Sequence, residues 1–339
     1  MVDATYSRFA ANERSYFSII KKEVRQKAEK AGFDSKKLND IDLIISELTS
    51  NLQKYATDGE VLAGLFYEQD NCYLELISID QGPGMNYQQM MADGFSSEKN
   101  LGMGLGSMKR LSDKFDIYSV KEWGTIILNR IYQKKQQPRT GLAAKIELRP
   151  LVIAMPGQTV SGDGTYFSID DRYFKLMVAD GLGHGEEANY AVNEGIAAFK
   201  ESKKASPSAI LKDIHQYIAK TRGMVATIVV FDAVKKTWTM AGVGNITTRM
   251  SNFLDIKNQM SYNGIIGHNI PNIMNDQEAA LNTFHQVTLC SDGIKSRWEL
   301  AKYPGINRCD LSIQAAAIYK DYARHTDDMS VVIAKINTL

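Results

Sequence analysis

Cysteine is scarce in this sequence of 339 residues, and the three cysteines lie far apart. Cys72, Cys290 and Cys309 have neither the short spacing of a metal or redox motif nor the even number that a disulfide framework needs. No uninterrupted apolar stretch of about 20 residues exists, so we expect no membrane span. Residues 1–17 lack the basic segment and apolar core of a signal peptide. Together these absences favour a reducing cytoplasm.

An excess of charge of one sign is missing too. Lys and Arg total 40 and Asp and Glu total 39, which gives a formal net charge of +1. This balance gives no support for nucleic-acid binding, and we expect neither a nucleic-acid nor a membrane partner. The hydrophobic share of 44% is typical of a globular protein. The length suits two domains, and no repeat of fixed period is present.

The first part of the chain alternates helical and strand-like patterns. Apolar residues recur at helical spacing in two early segments, and the later segments are short apolar runs typical of β-strands. The predicted order is helix 10–31, helix 38–56, strands 61–67 and 72–79, helix 107–115, and strands 117–120 and 125–131. This order predicts an α/β sandwich with helices on one face of a mixed sheet.

A polar, proline-containing run at 133–141 separates this part from a more β-rich part. We therefore predict a first domain at 1–135, a linker at 136–144 and a second domain at 145–339. The second domain has predicted strands at 146–153, 166–169, 174–178, 227–231, 238–243, 286–289 and 329–333, and predicted helices at 187–203, 208–221 and 311–323. Two sheets with helices packed outside them, an α-β-β-α sandwich of the α/β (α+β) class, would bury these strands.

Three polar residues share one face of the predicted helix 38–56. Glu47, Asn51 and Lys54 follow one another at spacings of four and three, which places them on the same side of a helix. A carboxylate can activate a hydroxyl or a water, and an amide oxygen can bind Mg²⁺. A plain solvated helix face remains the alternative interpretation.

Two glycine-rich segments lie in the first domain, one after an apolar run and one after a polar stretch that ends at Asn100. Asp80 ends an apolar strand and precedes Gly82 and Gly84, where a ligand could approach the backbone closely and an exocyclic amine could donate to the carboxylate. A simple tight turn would look the same. A second cluster, Gly102, Gly104 and Gly106, is predicted to open a helix whose amides could hold phosphates.

The order of the segments SELTSNLQKYA, DQGPGM, GMGLGSMKRLSD and WGT over roughly 10–133 resembles the GHKL ATPase and histidine-kinase superfamily, and within it the RsbT and RsbW type of serine/threonine kinases. The resemblance implies that Glu47 is the base that activates the attacking hydroxyl and that Asn51 binds the Mg²⁺ of ATP. It also implies a short lid at 85–101. The remaining implied nucleotide contacts are Lys54, Asp80, Gly82, Gly84, Gly102, Gly104, Gly106 and Thr125. The first histidine, His184, lies after this region, which argues against an autophosphorylating histidine kinase.

Acidic residues follow or precede strand-like runs in the second domain. Asp163, Asp180 and Asp292 each precede a glycine, and Asp327 and Asp328 precede an apolar strand. Each Asp-Gly pair alone is a common turn. Together, carboxylates at strand ends can meet in one cavity and bind two divalent cations, which can hold a phosphate and generate a hydroxide.

The segments SGD, VADGLGHG, GVGNI, LCSDGI and TDDMSVVIAKI resemble the SpoIIE and RsbX branch of the metal-dependent serine/threonine phosphatases. The resemblance implies two Mn²⁺ or Mg²⁺ ions, with Asp180 as the bridging, catalytically essential ligand and the carbonyl of Gly181 contributing. Asp163, Asp292 and Asp327 fall on the other acidic positions, and the choice between Asp327 and Asp328 stays open. His184 is either an acid to the leaving serine or a structural residue. We find no substitute for a phosphate-binding arginine at the start of the domain.

These resemblances imply a bacterial partner-switching enzyme. The expected substrate is a phosphoserine or phosphothreonine on a STAS-domain antagonist of an anti-sigma factor, and the first domain would phosphorylate the same class of partner. An alternative is that the first domain only senses ATP or docks a partner; an interaction scaffold with decayed sites is a third interpretation. Kinases of this type often pair, so a homodimer is compatible with the sequence.

Overall fold

A computed structural model describes residues 5–11, 14–68, 71–85, 101–252 and 255–337. The chain divides into two compact units. The first unit contains Met1–Gln137 and, in addition, Gly305–Ala317, while the second contains Pro138–Pro304 and Ile318–Leu339. The first break lies inside the segment predicted as a linker, but the return of Gly305–Ala317 to the first unit is a feature that the sequence patterns did not predict.

The first unit packs helices against one face of an antiparallel sheet. Its strands are hydrogen-bonded in the order β1-β2-β3-β5-β4, and each neighbouring pair is antiparallel. Its elements are β1 (Thr5–Ala10), α1 (Arg14–Lys30), α2 (Ser35–Tyr55), β2 (Glu60–Glu68), β3 (Asn71–Ile79), α3 (Leu101–Leu111), β4 (Lys114–Val120) and β5 (Gly124–Tyr132). The α/β arrangement predicted for this part of the chain is confirmed, with β1 as an additional strand, but the prediction of a mixed sheet is wrong because all four strand pairs are antiparallel.

Helix α2 forms as its sequence pattern predicts. Asp34 caps the helix, because its Oδ1 accepts a hydrogen bond of 2.8 Å from the amide of Lys37. The apolar stripe is buried against the sheet and α1, and consists of Leu38, Ile41, Ile44, Ile45, Leu48 and Leu52. The opposite face therefore remains available for polar side chains such as Glu47.

Helix α3 differs from the prediction. It spans Leu101–Leu111 rather than 107–115, so the three glycines at 102, 104 and 106 lie within the helix instead of preceding it. Glycine is a poor helix former. Burial of Leu105 and Met108 in the core of the unit outweighs that local preference, which is why the sequence pattern placed the helix too late.

The second unit contains two stacked antiparallel sheets. One has the strand order β13-β10-β9-β8-β7, and in the other the strands pair in the order β12-β11-β14-β15-β6. Its strands are β6 (Ile146–Ile153), β7 (Asp163–Ile169), β8 (Tyr173–Gly181), β9 (Met224–Asp232), β10 (Thr237–Val243), β11 (Thr247–Ser251), β12 (Ile256–Asn258), β13 (Gln277–Ala280), β14 (Gln286–Cys290) and β15 (Met329–Ile336). Its helices are α4 (Glu186–Glu201), α5 (Pro207–Tyr217) and the end of α6 (Leu311–Tyr322).

Strand β8 shows how the layers are built. Its residues Leu176 and Val178 face the other sheet, in a core with Leu289 of β14. The alternating residue Met177 faces outward into a second core with Ile214 of helix α5. Because strand side chains alternate between faces, one apolar strand fills two cores, and the predicted fold class is confirmed.

A buried ionic cluster holds Gly305–Ala317 within the first unit. Arg130 donates from Nε to Glu75 at 2.6 Å and from both terminal nitrogens to Asp310 at 3.1 and 3.2 Å. All three side chains are at most 3% exposed. Tyr6 also donates to Glu75, at 2.7 Å, and the amide of Asp310 donates to Asp116 at 2.7 Å. Residues from the far end of the sequence therefore complete this unit.

No helix in the described part of the chain is both long enough and apolar enough to cross a membrane.

Candidate active sites

In the first unit, the ends of three elements meet around Asp80. Its Oδ1 accepts hydrogen bonds from the amides of Gly82 at 2.7 Å and Thr125 at 3.2 Å. A Cβ on Gly82 would lie 2.5 Å from the carbonyl oxygen of Tyr55, and one on Gly124 would lie 2.1 Å from that of Asp80. Only glycine allows the end of α2, the end of β3 and the start of β5 to approach this closely.

The other end of this site lies further towards the start of helix α2. Glu47 contacts helix α3, since a Cβ on Gly104 would lie 2.6 Å from its Oε2. Asn51 lies one turn further along α2, and its buried Nδ2 has no hydrogen-bond partner among the residues that the structure describes. Glu47 precedes Tyr55 by eight residues, so it lies about 12 Å along the helix from the Asp80 corner. That spacing suits a ligand with a base at one end and phosphates at the other.

The remaining predicted nucleotide contacts divide into three groups. Thr125 is buried beside Asp80, and Gly84 (φ 67°) packs on the β4–β5 turn, where a Cβ would lie 2.0 Å from the carbonyl of Val120. Lys54 is exposed at the end of α2. Gly102 and Gly106 lie in α3, and the predicted lid falls mostly on 86–100, which is outside the described residues.

In the second unit, the predicted acidic residues converge at one end of the two sheets. Asp163 begins β7 and lies directly opposite Asp180 near the end of β8. Asp292 follows β14, and Asp327 precedes β15. The charges of Asp163, Asp292 and Asp327 all act on Asp180, so four distant parts of the sequence form one acidic cluster.

Neighbouring polar side chains fix two of these carboxylates. Ser291 donates from Oγ to Oδ2 of Asp163 at 2.6 Å, which leaves Oδ1 of Asp163 buried without a partner. Asn245 donates to Oδ2 of Asp292 at 2.8 Å. A buried carboxylate oxygen without a donor is costly in isolation, but it is the hard ligand that Mg²⁺ and Mn²⁺ prefer. The residues present therefore fit a divalent cation.

The structure separates the roles of Asp327 and Asp328. Both oxygens of Asp328 accept backbone amides at 2.8 Å, from Met155 and from Gly162, and the residue is 2% exposed. Asp327 is less buried, and its Oδ1 accepts a hydrogen bond of 2.9 Å from the amide of Asp328. Asp328 therefore holds the loop that leads to Asp163, and both of its oxygens are engaged in that contact.

Burial makes the acidic cluster hard to ionise in the absence of a cation. Desolvation is the main cause, reinforced by the neighbouring carboxylates, and it raises the pKa of Asp163 to about 8 and that of Asp180 to about 9. Burial also raises the pKa of Asp292. Within the described stretches, no group of three or more His, Cys, Asp or Glu side chains is already close enough together to hold a metal ion. Mg²⁺ commonly keeps several waters as ligands, so carboxylates that are spaced apart can still hold it.

These pKa shifts predict that cation binding releases protons. The raised pKa values leave the facing pair Asp163 and Asp180 holding at least one proton at pH 7, and a bound cation requires ionised ligands. We expect the Mn²⁺ affinity to increase with pH between 6 and 8, by roughly tenfold per pH unit for each proton displaced. Calorimetric titration in two buffers of different ionisation enthalpy measures the proton release directly. An affinity that is independent of pH would contradict the prediction.

The loop after Asp180 lines a cavity of the second unit. Gly183 and Gly185 have φ values of 83° and 77°, which favour glycine. The exposed side chain of His184 lies between them and lines a cavity with Gln158 and Arg222. The sequence patterns did not single out Arg222, because an arginine before a β-strand carries no spacing signal of its own.

Two curated proteins from Bacillus subtilis (strain 168) match different parts of the chain. Residues 9–130 match the histidine kinase-like ATPase domain family. The serine/threonine-protein kinase RsbT is 38% identical over 104 residues, which is 30% of this chain and 78% of RsbT. The phosphoserine phosphatase RsbX is 31% identical over 94 residues, which is 26% of this chain and 45% of RsbX.

A solved structure of RsbX in complex with magnesium shares the fold of the second part of the chain. It has a TM-score of 0.50 at 17% identity, and the alignment covers 57% of this chain and 96% of that one. The chain thus combines a histidine kinase-like ATPase domain with a unit that has the fold of the RsbX structure. With 38% identity over 78% of RsbT, the chain belongs to the RsbT family of serine/threonine kinases.

Proposed function

We propose that this chain sets the phosphorylation state of one signalling partner in both directions. The second unit would remove phosphate from a phosphoserine or phosphothreonine of a STAS-type anti-sigma antagonist, and the first would bind ATP with Mg²⁺ and phosphorylate the same class of partner. The observation that carries the proposal is that each unit brings its distant polar residues together in one site: Glu47, Asn51 and Asp80 in one, the acidic cluster in the other.

In the first unit, the proposed nucleotide would lie along α2 in one direction. Asp80, oriented by two backbone amides, would accept a hydrogen bond from the adenine amino group at one end of α2. Glu47 and Asn51 lie at the other end, beside α3. Asn51 would bind Mg²⁺ through its amide oxygen. Glu47 would take the proton from the serine hydroxyl as that oxygen attacks the γ-phosphorus and ADP leaves.

In the second unit, Asp163, Asp180, Asp292 and Asp327 would hold two Mn²⁺ or Mg²⁺ ions. When bound, the ions supply positive charge for the phosphate and a hydroxide at neutral pH. Ser291 and Asn245 keep two of the carboxylates in fixed orientations through hydrogen bonds of 2.6 and 2.8 Å. Such supporting contacts determine how well ligands are positioned.

The kinase assignment predicts a large effect of Glu47→Gln. Loss of the base should lower phosphotransfer to the partner by on the order of 100-fold or more, because general-base catalysis contributes about that much. ATP binding should persist, since the amide keeps the shape of the side chain. The measurements are transfer of radiolabelled phosphate and binding of a fluorescent ATP analogue, with Glu60→Gln on the exposed Arg8 pair as a control.

An unchanged transfer rate in Glu47→Gln would remove Glu47 from the reaction. A wild-type protein that binds ATP but transfers no phosphate would favour the alternative, a nucleotide-sensing unit that regulates the phosphatase.

A further inference from the structure

The cavity beside the acidic cluster has a volume of about 540 Å³ and lies within the second unit. Its described lining consists of Gln158, Gly183, His184, Gly185, Glu186, Glu187 and Arg222. Arg222 is the lining residue that carries a permanent positive charge, whereas Glu186 and Glu187 are acidic.

The cavity walls are tied to the acidic cluster. The loop that contains Gly183 follows Asp180 directly, and the amide of Leu182 donates to the carbonyl of Gly223 at 3.2 Å, which brings Arg222 beside that loop. On the other wall, the amide of Gln158 donates to the carbonyl of Met155. The amide of Met155 in turn donates to Asp328. Both walls of the cavity are therefore connected to segments that carry residues of the acidic cluster.

The side chain of Arg222 lies beside the loop that follows Asp180. Its Nη1 lies 3.0 Å from the position that a Cβ on Gly183 would occupy, and its carbonyl lies 2.8 Å from Nε2 of His268. Its Nε lies 2.8 Å from a carboxylate oxygen of Glu187, whose side chain is 74% exposed. The guanidinium already binds an oxyanion there, and a largely exposed ion pair contributes little stability, so a substrate oxyanion can displace Glu187.

We propose that Arg222 binds an oxyanion of the phosphoprotein substrate, with Glu187 as the internal group that this oxyanion displaces. This inference rests on the proposed phosphatase function. It supplies the substrate-binding arginine for which the start of the second domain offers no candidate. The oxyanion is either the phosphate itself or a carboxylate beside the phosphoserine, and both match the planar fork of the guanidinium.

The test compares three probes with Mn²⁺ present: p-nitrophenyl phosphate, a phosphoserine peptide flanked by Asp, and the same peptide flanked by Asn. Arg222→Ala should raise the KM for the Asp peptide roughly 10-fold or more, as expected for a charged hydrogen bond, with little change in kcat. Arg222→Lys should recover part of the loss, and Glu187→Gln should lower the KM. The control is Arg172→Ala, which removes an arginine paired with Asp232 at the far end of the β7–β8 hairpin.

The pattern across probes identifies the oxyanion. An equal rise for all three probes assigns Arg222 to the phosphate, and a rise confined to the Asp peptide assigns it to the flanking carboxylate. Unchanged KM values in Arg222→Ala, with Mn²⁺ affinity intact, would overturn the proposal, as would a higher KM in Glu187→Gln.

A binding measurement separates this inference from the phosphatase proposal. Anisotropy of a labelled Asp peptide, on an Asp180→Asn background that blocks turnover, should show weaker binding when Arg222 is also replaced by Ala. If the wild type hydrolyses no probe, the phosphatase proposal fails, while the binding comparison still decides the role of Arg222.

Discussion

Replacing Asp180 with Asn should lower metal-dependent hydrolysis of phosphoserine by at least about 100-fold, since loss of supporting contacts around a metal ligand already costs about 10- to 100-fold. Asp180 faces Asp163 across the β7–β8 pair and interacts with the other acids of the cluster. The asparagine side chain is neutral, so the substitution removes a negatively charged ligand from the centre of the site. Hydrolysis of p-nitrophenyl phosphate and Mn²⁺ calorimetry measure the two effects.

The same substitution should stabilise the protein when no cation is bound. The pKa of Asp180 is raised above its ordinary value of 3.8, mainly by burial, so the unfolded chain ionises at lower pH than the folded one. Folding stability therefore falls as pH rises from about 4 through the raised pKa. Asn does not titrate and avoids this loss.

Thermal unfolding in EDTA at pH 8 should thus give a higher Tm for Asp180→Asn than for the wild type, and added Mn²⁺ should raise only the wild-type Tm. The control is Asp171→Asn in the exposed turn of the same hairpin, which should change neither property. Hydrolysis by Asp180→Asn at the rate of the wild type would contradict the assignment of Asp180 to a buried metal-binding cluster. A Tm of the variant in EDTA below that of the wild type would contradict it too.

The second large effect concerns the buried ion cluster of the first unit. Arg130→Met should destabilise this unit by roughly 3–5 kcal/mol, because breaking a buried ion pair leaves uncompensated charge. Here two carboxylates, Glu75 and Asp310, would lose their shared cation while at most 3% exposed. The triple substitution Glu75→Gln, Arg130→Met and Asp310→Asn should recover much of the stability, since it removes all three charges.

Hydrogen exchange, resolved by peptide, measures this effect in each unit separately. Peptides of β3, β5 and 305–317 should exchange faster in Arg130→Met. The matched control is Arg8→Met, because Arg8 is 37% exposed and its partner Glu60 is 13% exposed, and a pair with this access to solvent contributes about 0–1 kcal/mol. Equal protection in the two variants would show that the Arg130 cluster does not stabilise the unit.

The acidic cluster illustrates how a sequence can predict a site. Asp163, Asp180, Asp292 and Asp327 each stand at the end of an apolar run, and strand ends of stacked sheets meet at a common edge. The pattern could not choose between Asp327 and Asp328. That choice depends on which carboxylate accepts the amides of Met155 and Gly162, and those amides come from a loop more than 160 positions away.

In the candidate nucleotide site, too, local sequence patterns predict some features and tertiary contacts decide others. The helical spacing of Glu47 and Asn51 and the turn after Asp80 followed from local patterns, and the structure confirms helix α2 within three residues at its start and one at its end. The start of α3 was predicted six residues too late, because glycines reduce helix propensity locally while core burial of Leu105 decides the outcome.

The sequence by itself determined the two-part organisation, the periodicity of most helices and strands, and the identities of the acidic and glycine-rich segments, because these depend on neighbours within a few turns or strand residues. The tertiary structure alone decided that Gly305–Ala317 completes the first unit through Arg130, that Asp328 supports a loop, and that Arg222 borders the cavity. Each of these depends on contacts between residues far apart in sequence. A local sequence pattern depends only on near neighbours, so it cannot predict whether such a contact forms.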